Sequence, residues 1–296
     1  MRVLVTGGSG PIGSNYVKYF IEKGDEVHYT TFNNIMEIEG ASRYTINFEK
    51  ANEIKKTIKE IEPELIVHTV ALPSVDLCEI DKILAYKINV EGTRTVLESS
   101  RALDSFIIYI STTAVFDGTK GVYYETDVPN PINNYARTKL LAEELVRGSG
   151  LGHIILRTDQ PYGWIADGQK QNSVIRALNK IRNNETLNEV VDWYNNPTLL
   201  RDLINATDQL LKNGKEGTYN AVGPDYINRY EWSLLVAEIF GENNALVRPI
   251  SYSNLNLAAK RPNTNASSDK IKREVGFSFV GVKEGLHIMK KEFMVD

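Results

Sequence analysis

Tyr135 and Lys139 stand four residues apart, 23 residues beyond Thr112 of a Ser111-Thr112 pair, in a chain of 296 residues. On one helix that spacing puts a phenol and an ammonium on the same face. The cation favours the ionised phenol and so lowers a pKa that starts near ~10. A tyrosine tuned in this way hands a proton to a carbonyl oxygen, or takes one back, near neutral pH. The pair alone is weak grounds: with 15 tyrosines about one chance match is expected, and Tyr19/Lys23 supplies it. Tyr19 lies among Tyr16, Val17, Phe20 and Ile21, whose spacing reads as a buried helical stripe, so this second pair reads as structural.

What raises Tyr135/Lys139 above chance is the opening of the chain. Thr6-Gly-Gly-Ser-Gly-Pro-Ile-Gly13 follows an apolar run, Val3–Val5, and leads into a helical pattern. Gly7, Gly10 and Gly13 at this place permit a tight turn, close approach of backbone to a pyrophosphate, and close packing of helix on strand. Pro11 and Ile12 then open the helix, whose free N–H groups and dipole favour an anion. The bland alternative is a glycine-rich turn without a ligand. An acid at the end of the second strand normally binds the ribose hydroxyls of NAD. Here that strand ends His28-Tyr-Thr-Thr-Phe-Asn33, and neutral Thr30, Thr31 and Asn33 do not repel a 2′-phosphate. No arginine adjoins them unless Arg43 folds back. The balance favours NADP(H) over NAD(H).

Composition narrows the classes. The net charge is −4 with no basic block and no acidic tail, so a nucleic acid polymer is not expected as partner. Cys78 is the sole cysteine, which excludes an internal disulfide and a thiolate cluster. His28, His68, His153 and His287 lack ligand spacing and read as structural; no zinc site can be assembled from them. The start lacks the pattern of a secretion signal, and no run approaches a membrane span. A cytoplasmic chain is the expectation.

The elements that must position these residues read as α/β. Apolar runs at Val3–Thr6, Glu26–Phe32, Tyr44–Asn47, Leu65–Val70, Phe106–Ser111 and His153–Leu156 alternate with helical patterns at Ile12–Lys23, Ala51–Ile61, Ile80–Ser100 and Asn134–Val146. Such alternation predicts a Rossmann-type doubly wound parallel sheet covered on both faces. Beyond Arg157 the rhythm changes. Helices are expected at Ser173–Arg182, from the Asn195–Thr198 turn to about Leu211, at Arg229–Phe240 and at Val282–Phe293, with strands at Glu189–Trp193 and Thr218–Ala221. The predicted division is a dinucleotide-binding domain of residues 1–157 plus about 197–222, and a smaller substrate-binding lobe of about 158–196 plus 223–296.

With these motifs in place the chain resembles the extended short-chain dehydrogenase/reductases, whose glycine loop, Ser/Thr and Tyr-x-x-x-Lys it shares. Within them Ile110-Ser-Thr-Thr-Ala-Val-Phe-Asp-Gly118, Asn134-Tyr-Ala-Arg-Thr-Lys-Leu140, Val191-Asp192 with Pro197-Thr198, and Arg261-Pro262 are similar to segments of the dTDP-4-dehydrorhamnose reductases. The resemblance implies reduction of a 4-keto group on a nucleotide-linked deoxysugar. Tyr135 would protonate the carbonyl oxygen, Lys139 would hold the nicotinamide ribose, and Thr112 would hydrogen-bond the developing alkoxide, worth ~2–4 kcal/mol. It further implies that Val70, Ala71 and Leu72 line the cofactor cleft. Asn47 and Phe48 would meet the adenine, and Asn89 would lie near the active site. Thr113 and Arg261 would face the substrate, with Arg261 near its diphosphate.

Each of these has a plainer alternative: Thr112 as a turn cap, Asn89 as an ordinary helix amide, Arg261 as a solvated loop charge. The family has an acid after the catalytic Thr, whereas Thr113 stands here. Nucleotide-sugar dehydratases need Asp-Glu where this chain has Thr113-Ala114, which removes dehydration. Two alternatives stay open: a nucleotide-sugar epimerase, and a non-catalytic NADP-binding subunit like the regulatory subunit of methionine adenosyltransferase. Family members are often dimers through helices flanking the sheet, so a homodimer is an expectation. No ligands for a metal can be placed.

Overall fold

Strand β1 (Arg2–Thr6) sends Val3 and Val5 to one face and Leu4 to the other, and all three are buried. Two covered faces are what a run of consecutive apolar residues requires. In the computed structural model, which describes residues 1–293, this strand lies near the middle of a parallel sheet. The other strands are β2 (Glu26–Thr31), β3 (Ala41–Thr45), β4 (Leu65–His68), β5 (Phe106–Thr112), β6 (His153–Thr158) and β7 (Gly217–Asn220). Their order is β7-β6-β5-β4-β1-β2-β3, all parallel. The order reverses between β1 and β4, and ligands of such sheets bind at the carboxyl ends of the strands there.

Helices α1 (Pro11–Glu22), α2 (Ala51–Ile61), α3 (Val75–Ile80), α4 (Lys82–Tyr86), α5 (Gly92–Ser100) and α6 (Asn134–Arg147) belong to the first half of the chain. Beyond them come α7 (Ser173–Arg182), α8 (Leu200–Lys212), α9 (Arg229–Phe240), α10 (Asp269–Val275) and α11 (Val282–Phe293). One sheet face is covered by Tyr16, Val17 and Phe20 of α1 with Leu203 and Leu210 of α8. The other is covered by Ile54 and Ile58 of α2, Val96 of α5, and Ala142 and Val146 of α6. A separate buried cluster joins α7, α9 and α11 through Leu178, Val236 and Leu286. Each large side chain buried in this way stabilises the fold by roughly 1.5–3 kcal/mol relative to exposure.

The doubly wound sheet is as expected, and four helices match their predicted limits at both ends: Ala51–Ile61, Ser173–Arg182, Arg229–Phe240 and Val282–Phe293. Three differences matter. The stretch from Ile80 to Ser100 is not one helix: α3 ends at Ile80, and α4 runs into a π-helical turn, Lys87–Glu91, before α5. The third strand is Ala41–Thr45 rather than Tyr44–Asn47, because Asn47 turns into the lead to α2. The strand expected at Glu189–Trp193 is Leu187–Val190, paired with Val247–Ile250, which had not been anticipated.

Helix α6 carries polar groups on its buried face. Asn133 caps its start, its side chain accepting the Ala136 N–H at 2.9 Å. Buried residues then recur at Ala136, Lys139, Glu143 and Val146, a helical stripe with two charges in it. The Glu143 carboxylate accepts Ser111 Oγ at 2.5 Å, Arg157 Nη2 at 2.7 Å and Arg147 Nη1 at 3.1 Å. Burial pushes this carboxyl up, but Arg157, Ser111 and Arg147 outweigh it and hold it below its ordinary value. Its stabilisation is therefore present above the ordinary carboxylate range and fades as pH falls beneath it.

Glu143→Gln leaves Arg157 buried without its countercharge, and a loss of about 3–5 kcal/mol is expected in urea unfolding. Replacing both partners, Glu143→Leu with Arg157→Met, should recover most of that loss. A double variant no more stable than Glu143→Gln would contradict the pairing.

Candidate active site

The glycine loop joins β1 to α1. Gly7 has φ +71°, and a Cβ on Gly13 would lie 2.2 Å from the Gly7 carbonyl oxygen. Only glycine tolerates both the left-handed turn and that approach. Helix α1 begins behind Gly10 with no side-chain cap and with Pro11 at its first position. Its first-turn N–H groups are therefore left to a ligand. Val70 sits against Gly7, with its Cγ2 3.1 Å from a Cβ built there. Val70, Ala71 and Leu72 leave β4 partly buried along this edge. The residues present thus fit a nucleotide diphosphate.

Elsewhere along the expected cofactor path the side chains are engaged with protein. Thr31 is buried, its Oγ1 between Ser9 Oγ and the Asn34 carbonyl. Asn47 Oδ1 accepts the Glu49 N–H at 2.9 Å. Phe48 is buried and stacks with His68 at 5.9 Å between centroids. Arg43 does not fold back, for its guanidinium pairs with Glu37 at 2.9 Å.

Asn89 connects the two sides of the cleft. It is buried, its Oδ1 accepting the Leu72 N–H at 2.7 Å and its Nδ2 donating to Thr138 Oγ1 at 2.9 Å. The loop after β4 is thereby tied to α6 between Tyr135 and Lys139. Asn89 reaches both because it lies in the π-helical turn, which carries an extra residue per turn.

Tyr135 lies in the first turn of α6, partly buried, and among the described residues its hydroxyl has no hydrogen-bond partner. Burial, then Cys78, then Asp159 push the phenol above its ordinary value, opposite to the lowering expected from Lys139. The reason is where the ammonium goes. Lys139 Nζ donates to the Ile110 carbonyl at 2.6 Å and lies 4.1 Å from the centre of the Tyr109 ring. Burial brings Lys139 itself down to about 7, against the pull of Glu143. The cation is spent on fastening the helix to β5.

Thr112 ends β5, and its Oγ1 accepts the Ala114 N–H at 3.1 Å. The cap reading therefore holds, yet accepting leaves the hydroxyl proton free to donate. Thr113 is buried against Thr264 at 3.1 Å, so its side chain points into the protein. Arg261 is held by Asp76, Nη2 to Oδ2 at 2.7 Å, while its Nη1 donates to the Ala259 carbonyl at 2.6 Å. Asp76 also accepts the Ala259 N–H at 3.1 Å, and Asn133 donates to the Lys260 carbonyl at 2.9 Å. The Arg261 loop thus rests on the starts of α3 and α6. Asp76 and Asn133 were not singled out from sequence; their positions at helix starts are the only signal they give. The second pair is structural as expected, Lys23 meeting Asp208 of α8 at 3.0 Å.

A family model described as the RmlD substrate binding domain matches residues 1–295. The dTDP-4-dehydrorhamnose reductase of Aggregatibacter actinomycetemcomitans is 27% identical over 288 residues, 93% of each chain. Methionine adenosyltransferase 2 subunit beta of Bos taurus is 29% identical over 297 residues, 96% of this chain and 87% of that one. Among solved structures, dTDP-4-dehydrorhamnose reductase from Bacillus anthracis in complex with NADP aligns with a TM-score of 0.82 at 26% identity, covering 98% of this chain and 99% of that one. The chain thus belongs to the RmlD substrate-binding-domain family, among the NAD(P)-dependent oxidoreductases of the extended short-chain dehydrogenase/reductase type.

Proposed function

We propose that this chain reduces the 4-keto group of a nucleotide-linked deoxysugar, the reaction class of the dTDP-4-dehydrorhamnose reductases it resembles. The reading rests above all on Tyr135, whose hydroxyl lacks a hydrogen-bond partner among the described residues, at the start of a helix otherwise fastened along its length. A bound nicotinamide supplies hydride to the carbonyl carbon. Tyr135 gives its proton to the carbonyl oxygen, so that C=O becomes CH–OH. Its raised pKa keeps the proton in place until the oxygen becomes basic. Thr112 directs its free O–H to the same oxygen as negative charge develops. Lys139, anchored on the Ile110 carbonyl, fixes the helix that presents Tyr135 and would meet the nicotinamide ribose from there. Residues 1–157 with about 197–222 would form the cofactor half, and the remainder the substrate lobe.

We also propose NADP(H) as the preferred reductant. Support comes from neutral Thr31 and Asn34 near the glycine loop, with Asn34 Nδ2 donating to the Ser9 carbonyl at 3.3 Å. With Arg43 committed to Glu37, no guanidinium strengthens that preference.

The bovine relative gives specific ground for a second reading, an NADP-binding subunit without turnover. The two readings separate in one assay, NADPH oxidation with dTDP-4-dehydrorhamnose. NADPH binding with no oxidation would remove the reductase reading.

Tyr135→Phe is expected to lower kcat by about 10²–10⁴-fold, the usual contribution of a positioned proton donor, with NADPH affinity unchanged by fluorescence titration; full turnover would refute the role of Tyr135. For the cofactor, kcat/KM should favour NADPH over NADH by less than about tenfold, or ~1.4 kcal/mol, since Arg43 is committed to Glu37 and only neutral groups remain to discriminate. A strict requirement for either cofactor would overturn that expectation.

A further inference from the structure

Arg229, the first residue of α9, carries a positive charge that no carboxylate pairs with directly among the described residues. Its Nη1 donates to Gln160 Oε1 at 3.1 Å and to Ser173 Oγ, both neutral. Its guanidinium lies over Trp193, with 4.8 Å from the central carbon to the ring centre. The neighbouring carboxylates are already engaged. Glu189 holds Arg176 and Ser233, and Asp159 takes the Asn196 N–H at 2.9 Å and the Asn195 amide. Asp192 accepts the Tyr252 N–H at 2.6 Å, and Asp76 holds Arg261.

Charges withdrawn from water are ordinarily paired, and a guanidinium has five donors, of which the Arg229 contacts use only those on Nη1. Two further polar atoms nearby lack partners among the described residues: the Trp193 indole N–H and Asn195 Oδ1. Burial brings Arg229 down to about 10, which leaves it charged at neutral pH. Tyr252 links the two arginines: its ring lies edge-on to Trp193 at 6.2 Å between centroids, and its hydroxyl accepts the Arg261 backbone N–H at 2.9 Å. The two positive charges disfavour each other. Through Trp193 and Tyr252, Arg229 thus adjoins the loop that carries Arg261. Gln160, which orients it, has φ +40°, a left-handed conformation costly for a side chain of this kind. Such strain persists where the surroundings enforce it, commonly at binding sites.

We propose that Arg229, seated on Trp193, binds an oxyanion of the substrate and, with Arg261, grips the diphosphate of the nucleotide-linked sugar. The inference rests on the nucleotide-sugar reading above and extends it to a residue the sequence did not single out. A planar fork suits phosphate oxygens in two-point contact. An anion between the two arginines removes the repulsion they exert on each other, and supplies an acceptor for the idle donors.

The test is calorimetric titration of the full chain, saturated with NADP⁺, using dTDP, thymidine and inorganic pyrophosphate as probes. Arg229→Met keeps an apolar contact on Trp193, and Arg229→Lys keeps the charge without the fork. Arg229→Met should weaken dTDP and pyrophosphate about tenfold to a hundredfold, the worth of a charged hydrogen-bond pair, and leave thymidine and NADP⁺ binding unchanged. Arg229→Lys should fall between that variant and the wild type. Undiminished dTDP affinity in Arg229→Met would refute the proposal, as would equal weakening of thymidine and NADP⁺. Should Arg229→Met fail to fold, Arg229→Lys decides: unchanged dTDP affinity there refutes the fork. A wild-type protein that binds pyrophosphate through Arg229 but neither dTDP nor thymidine would sink the nucleotide-sugar reading while sustaining the anion site.

Discussion

The structure depends on how α6 is fastened to the sheet. One face of this helix carries Tyr135, Lys139 and Glu143 at successive four-residue steps, and the latter two turn under it. Lys139 reaches the Ile110 carbonyl, while Glu143 takes Ser111 from β5 and Arg157 from β6. Asn89 holds the helix through Thr138, and Asn133 joins its start to the Arg261 loop. Hydrogen bonds of charged groups in a water-poor interior are strong when all partners are present and costly when one is missing. The arrangement therefore has one good solution, and in it Tyr135 alone on this face is left without a hydrogen-bond partner among the described residues. Rigidity beneath the helix fixes where the hydroxyl at its first turn stands, which the proposed reaction requires.

This fastening changes what Lys139 does. From spacing alone an ammonium next to a phenol should make the phenol more acidic. In the folded chain the ammonium is directed into the sheet, and burial dominates the titration of both groups. The raised pKa keeps Tyr135 protonated, which in the proposed reaction suits a proton donor rather than a phenolate held ready. In that reaction the substrate oxygen, hydrogen-bonded by Thr112, would supply the pull that removes the proton.

Much of this was legible in the sequence because it depends on local spacing. The strand rhythm, the glycine loop and the four-residue steps of α6 follow from period and residue type. Asn89 could be named but not placed, because its inward aim comes from a π-helical turn, which no hydrophobic period announces. The strand at Val247–Ile250 is Val-Arg-Pro-Ile, with Arg248 and Pro249 exposed, so it carries neither alternation nor an apolar run. Thr113 reads as a polar residue beside a catalytic one, yet the short turn after β5 points it at Thr264 from the far end of the chain. Arg229 gives no local signal either: its meaning comes from Trp193 and Gln160, which are remote in sequence. Contacts between distant segments, and the sign of a burial effect, are what spacing does not encode.

Hydride transfer can be followed directly. NADPH deuterated on the transferred face of C4 is incubated with the protein and dTDP-4-dehydrorhamnose, and the sugar product is weighed by mass spectrometry. The account predicts one deuterium in the product, carried on the sugar C4, with wild-type protein and its near-absence on the same timescale with Tyr135→Phe. Unlabelled product from wild-type protein, or no product although NADPH binds, would contradict it.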